Sequence, residues 1–101
     1  MGYNQGLFVF IIIKIINPTD IVESGIMRGF TTYLIEMASS NNAKIHCYDI
    51  NFDNLEYKSK KAIYHEGDIE TNLPKFIGNK VLSLYDDHVS HLHRLNLSKK
   101  L

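Results

Sequence analysis

Apolar and polar positions change period several times along the chain, and each change marks an element. Residues 7–16 are apolar at every position except Lys14. A run this dense fits a buried strand or a buried helix equally well by periodicity. Its β-branched content favours a strand. Asn17-Pro18-Thr19-Asp20 is a turn, because proline presets its own backbone angle and asparagine initiates turns readily. Residues 19–24 then read as a first strand. Residues 29–39 read as a helix with Leu34, Ile35 and Ala38 on its packing face, ended by Ser40-Asn41-Asn42. Residues 43–49 form a second strand with Ile45, Cys47 and Tyr48 as its apolar body. Residues 51–61 are polar with Phe52, Leu55 and Tyr57 as anchors, which suits a loop or a short irregular helix. A weak third strand covers 61–65 and ends at Glu66-Gly67-Asp68. A short helix is expected around 73–77, stopped by Gly78-Asn79. Residues 80–85 are the fourth strand, and a last helix over 89–97 turns Leu92 and Leu95 inward. The tail, 98–101, is expected to fray.

Strands that alternate with helical patterns build parallel βαβ units. The predicted fold is therefore α/β: a Rossmann-like, doubly wound, mostly parallel sheet, abbreviated to about four strands. Residues 1–101 read as one domain without internal repeats, and the length leaves room for one small domain only.

Composition narrows the function classes. Formal net charge is zero, so no global field recruits nucleic acid or an anionic membrane. An apolar content of 45% with 22% charged residues describes a globular chain rather than a disordered one. The single cysteine, Cys47, excludes an internal disulfide and cysteine-rich zinc sites. It reads as a small core residue in a reducing, cytoplasmic setting. The run at 7–16 is about half the length a bilayer span needs. It also lacks the basic start and small-residue cleavage site of a signal peptide. A buried element is the expectation, with no membrane partner.

Candidate chemistry gathers where strands end. Gly25 and Gly29 follow the first strand and open the first helix. There glycines allow a tight turn and close approach to a ligand, and the helix directs unpaired N–H groups at it. The same glycines also suit a plain strand-to-helix turn. Asp49 falls about two dozen residues after Gly25, near the spacing at which an acid takes ribose hydroxyls; otherwise it is an exposed turn acid. Asp68 follows the third strand and suits a helix N-terminus equally well. Asp86 and Asp87, after the fourth strand, are a carboxylate pair of the kind that binds a hard divalent cation, or Asp87 caps the last helix. His88 is the base available beside them. His91 and His93 lack an evident third partner for zinc and read as surface residues. Arg28 reads either as a contact for a carboxylate or phosphate or as a solvated helix-start residue. Lys58, Lys60 and Lys61 are a solvated basic run.

The string Glu23-Ser24-Gly25-Ile26-Met27-Arg28-Gly29 resembles the first motif of class I S-adenosylmethionine-dependent methyltransferases, acid-x-glycine-x-x-x-glycine. The longer stretch 21–36 is similar to the branch of cephalosporin-hydroxylase-like and sugar O-methyltransferases, with its basic residue before the second glycine and threonine soon after. Asp86-Asp87-His88 resembles that branch's fourth motif. The resemblance implies that residues 7–16 are a helix packed on the sheet. It implies that Gly25 and Gly29 cradle the amino-acid end of S-adenosylmethionine, and that Glu23 orients the loop or meets the ammonium group. It implies that Asp49 takes the ribose and that an acid near Asp68 contacts adenine. It further implies Mg2+ at Asp86 and Asp87, with methyl transfer to a hydroxyl of a small molecule such as a sugar. Whether the chain is an active enzyme stays open. Four strands are about half of such a sheet. The chain is thus expected to be a truncated form, or to act as a homo-oligomer or with a complementing chain. Two alternatives remain. One is an inactive fragment that needs a partner. The other is a dinucleotide-binding α/β domain, against which Ile26-Met27 stand where a second glycine belongs.

Overall fold

The computed structural model describes residues 3–85. The chain runs α1 (Tyr3–Ile16), β1 (Asp20–Ser24), α2 (Phe30–Ala38), β2 (Lys44–Asp49), β3 (Ile63–Glu66), a 3-10 turn (Ile69–Thr71) and β4 (Val81–Tyr85). The strands form one parallel sheet in the order β3-β2-β1-β4. This is the expected α/β architecture. The strands begin and end within two residues of their predicted bounds. The last predicted helix, and with it Asp86, Asp87, His88, His91 and His93, lies outside the described residues.

The ambiguous run is a helix. α1 stops at Asn17, whose N–H donates to the Ile13 carbonyl at 2.8 Å while its φ of 51° leaves the helical region. Pro18 then blocks continuation, so the helix ends with a left-handed cap. α1 packs on α2 through Gly6, where an added Cβ would stand 2.9 Å from Leu34 Cδ1. Val9 and Ile13 of α1 join Ile35 and Ala38 of α2 over Ile21, Ile45 and Cys47 of the sheet. The expectation of a buried element holds for one side of α1 only. Leu7, Phe8, Ile11 and Ile15 face away from the core and are exposed. No helix among the described residues is long and apolar enough to cross a membrane.

Residues 51–61 take the loop alternative, and the helix expected around 73–77 does not form. Between β2 and β3, the N–H groups of Glu56 and Tyr57 donate to the Arg28 carbonyl at 2.9 and 3.0 Å, which ties this stretch to the N-terminal end of α2. Phe52 and Leu55 still pack on the core, as anchors should. The expected helix around 73–77 is replaced by the 3-10 turn a few residues earlier. Asp68 caps that turn, its carboxylate accepting from Glu70 N at 3.0 Å. Beyond it, Pro74 disfavours the helical region for Leu73. The N–H groups of Ile77 and Gly78 donate to Asp20 instead, at 2.9 and 3.0 Å.

Candidate functional site

Every candidate residue that the structure describes lies at or beyond the carboxyl end of a strand. The chain order explains why that end matters. From β1 the sheet grows through β2 and β3 in one direction, and β4 then returns to the other side of β1. The strand order therefore reverses between β1 and β4, and open α/β sheets bind ligands in the crevice outside such a point. The glycine loop leaves β1 there, and residues 86–88 follow β4.

The loop is built from backbone conformations that side chains resist. Gly25 has φ 88° and Gly29 φ 94°, both in the left-handed region. Met27 also adopts it, at φ 54°. The Gly25 N–H donates to the Tyr48 carbonyl at 2.9 Å, which extends the β1–β2 pairing by one rung, and Gly29 N–H closes the turn on Ile26 O at 3.0 Å. Gly29 has a further reason to be glycine. An added Cβ would meet the Tyr57 carbonyl oxygen at 2.3 Å, so the loop after β2 packs directly on its Cα. The second glycine of the motif thus serves chain packing, which its spacing alone did not reveal. Gly29 also caps α2 without a side-chain hydrogen bond. An N-terminus of this kind suits an anionic group.

Asp49 sits in direct contact with this loop. Its Oδ2 accepts from Ile26 N at 2.9 Å and Met27 N at 3.0 Å, and Oδ1 accepts from Ile50 N at 2.7 Å. The carboxylate therefore latches the loop to the end of β2. A carboxylate offers about four acceptor positions, so roughly one remains for a ligand while the latch is closed.

Glu23 lies one residue before the end of β1. It is buried and accepts from Thr32 Oγ1 at 2.5 Å, with Cys47 Sγ 3.9 Å from the same oxygen. This contact ties β1 to α2 beneath the loop. Burial and the neighbouring Glu23 charge push the Cys47 thiol far above its ordinary range, which keeps it a neutral core residue. Asp68 is placed as the cap of the 3-10 turn, one residue after Gly67, whose N–H donates to the Asp49 carbonyl at 2.6 Å. Arg28 is exposed, and its carbonyl rather than its guanidinium makes the loop's contact with residues 56 and 57.

Two groups escaped the sequence reading. Asp20 is fully buried and holds the turn before β4 through Ile77 N, Gly78 N and Thr19 Oγ1. Its place at a strand start beside Pro18 read as turn chemistry and gave no sign of a partner far along the chain. His46 and His65 meet ring to ring, Nδ1 to Nε2 at 3.1 Å, with His65 stacked on Tyr48 at 4.4 Å. Alternation along β2 and β3 could have placed His46, Tyr48 and His65 on one sheet face. Burial first, then the His65 and Lys44 charges, hold His46 below the ordinary histidine value; burial does the same to His65. Among the described residues no three histidine, cysteine or acidic side chains gather as a metal site.

No family model and no curated protein matches the sequence. Solved structures do match. One is an O-methyltransferase, TomG from Streptomyces achromogenes, involved in tomaymycin synthesis and solved with SAM. It shares 13% identity at a TM-score of 0.80 over 100% of this chain and 52% of its own. A second is CmcI solved with SAH, at 12% identity and a TM-score of 0.78, over 98% of this chain and 53% of its own. CmcI solved with Mg and SAM matches at 14% identity and a TM-score of 0.74, over 96% of this chain and 46% of its own. The chain spans about half the length of these structures, and it has their Rossmann-like fold.

Proposed function

We propose that the chain binds S-adenosylmethionine at the carboxyl ends of β1 and β2 and belongs to an O-methyltransferase acting on a hydroxyl of a small molecule. The observation that carries this reading is the contact between the glycine loop and Asp49 across the carboxyl ends of β1 and β2, beside the point where strand order reverses. The residues suit the donor. The loop gives a tight backbone turn, the α2 N-terminus offers N–H groups for the donor's carboxylate, and Asp49 retains about one acceptor position for ribose. S-adenosylmethionine supplies an electrophilic methyl group. The chain's own part is to bind and orient it. Glu23 supports this indirectly, by fixing the loop through Thr32. Asp68 is the weakest member of the set, since its carboxylate is already engaged as a cap.

The acceptor side rests on the motif resemblance at Asp86-Asp87-His88. Those acids would hold Mg2+, which lowers the pKa of a bound hydroxyl, and His88 would remove its proton.

Calorimetric titration with S-adenosylhomocysteine tests the donor site. Binding is expected in the unaltered chain and is expected to be lost in Gly25→Val, whose side chain is strained at positive φ. Asp49→Ala is expected to weaken it by about 1–3 kcal/mol, through loss of one ribose contact and release of the loop. Binding unchanged in both folded variants would overturn the assignment.

A further inference from the structure

The carboxylate of Asp49 is largely occupied before any ligand arrives. Oδ2 accepts from both Ile26 N and Met27 N, at 2.9 and 3.0 Å, and Oδ1 accepts from Ile50 N at 2.7 Å. A carboxylate has about four acceptor positions, so about one is open. A vicinal diol brings two hydroxyl donors, so one existing bond has to give way if both are to reach Asp49. The three bonds are not equally held. Ile50 follows Asp49 in the chain, which keeps its N–H beside the carboxylate. Ile26 is 3% exposed and packs in the core with Ile21 and Ile45, which holds its backbone in place. Met27 is 60% exposed. It stands at the first central position of the turn that Gly29 N–H closes on Ile26 O at 3.0 Å, with φ 54°. A residue with a side chain pays for that left-handed conformation, and glycine does not. The bond to Asp49 helps to offset this cost, so Met27 N–H is the donor most easily released.

We propose that Met27 N–H is an internal competitor of the donor's ribose. In the donor-free chain it fills the position on Asp49 Oδ2 that the second hydroxyl of a vicinal diol takes on binding, and the loop tip lets go as the diol arrives. This rests on the reading that Asp49 takes ribose and adds a selection rule to it. A ligand with both hydroxyls offsets the opening of the tip with a second charge-assisted hydrogen bond. A ligand with one hydroxyl fills the open position and leaves the tip closed. The exchange therefore distinguishes a ribonucleoside from a deoxyribonucleoside by the state of the loop. It also lowers the affinity for every diol, because such a ligand selects the less populated, open tip.

Scalar coupling through the hydrogen bond, from the amide nitrogens of Ile26 and Met27 to the Asp49 carboxylate carbon, reads the exchange directly by NMR on the full chain. The probes are S-adenosylhomocysteine and its 2′-deoxy analogue. Both couplings are expected without ligand. Saturating S-adenosylhomocysteine is expected to abolish the Met27 coupling and keep that of Ile26, whereas the bound analogue is expected to keep both. Calorimetry of Met27→Gly supplies a second measurement. This variant retains the N–H and removes the conformational cost, so it holds the tip closed. It is expected to weaken S-adenosylhomocysteine about fivefold and to leave the analogue unchanged. Loss of a side-chain contact would weaken both ligands alike, and that result overturns the proposal. So does S-adenosylhomocysteine bound with the Met27 coupling intact, which leaves the donor site itself standing. An analogue that releases Met27 as fully as the diol, or that does not bind, overturns it as well. A chain that binds no S-adenosylhomocysteine overturns the donor-site reading and the exchange with it.

Discussion

The two faces of the sheet are held by different forces. Toward α1 and α2, contacts are apolar: Ile21, Ile45 and Cys47 meet Val9, Ile13, Ile35 and Ala38. Toward the stretch from Gly67 to Lys80, cover is thinner and much of the contact is polar. Val22, Tyr48 and Ile69 form a small cluster, flanked by Asp20 holding two backbone N–H groups, by the His46–His65 pair, and by Tyr48 OH donating to the Asn72 carbonyl at 2.6 Å. One face is stabilised by area removed from water. The other is fixed by hydrogen bonds whose geometry specifies where an irregular segment lies. Breaking the first should lower stability most. Breaking the second should move one segment.

The largest effect is expected at the centre of the apolar face. Ile35 is fully buried between α2 and the sheet, so Ile35→Ala should cost about 2–5 kcal/mol through lost transfer energy and a cavity. Denaturant unfolding measures it, and a cost under 1 kcal/mol would mean that the helix layer repacks freely.

Asp20 offers the matching cut on the polar face. Asp20→Ala orphans the N–H groups of Ile77 and Gly78 and should cost about 2 kcal/mol. The sign of a local effect would be faster amide exchange at residues 77 and 78 than in β2. Uniform acceleration would instead make Asp20 part of the global core. Tyr48→Phe removes one hydrogen bond to Asn72 and should cost about 1 kcal/mol by the same unfolding measurement; no change would mean that the 3-10 turn is held by Ile69 alone.

This contrast explains what could be read in advance. The strands and α2 were legible because their apolar residues repeat at a period set by the backbone, and burial on the helix face follows that period. The glycine loop and Asp49 were legible as neighbours from motif spacing. That Asp49 would latch Ile26 and Met27 was not, because those partners are backbone N–H groups and carry no side-chain signature. The motif spacing marks Gly29 for a ligand, yet its packing on Tyr57 depends on a loop whose path no local pattern encodes. The helix predicted around 73–77 failed for the same reason. Its donors were claimed by Asp20, 57 residues earlier in the chain. α1 was ambiguous because both its buried and its outward positions are apolar.

The smallest expected effect is a slope rather than a loss. His46 and His65 both have their protonation disfavoured in the folded state, chiefly by burial, so the native protein holds them neutral where the unfolded chain would begin to charge. The groups around His46 are His65 and Lys44, which oppose its charge, and the Lys75 backbone carbonyl and Asp20, which favour it. With folded pKa values below the unfolded value of about 6.5, the unfolded state binds more protons as pH falls. Stability from this pair is therefore fully present above about pH 6.5 and is lost progressively as pH drops below it. The thermal midpoint should fall between pH 7 and pH 5, and His46→Gln combined with His65→Gln should flatten that fall. A double variant as steep as the parent would remove the histidine pair from the pH response.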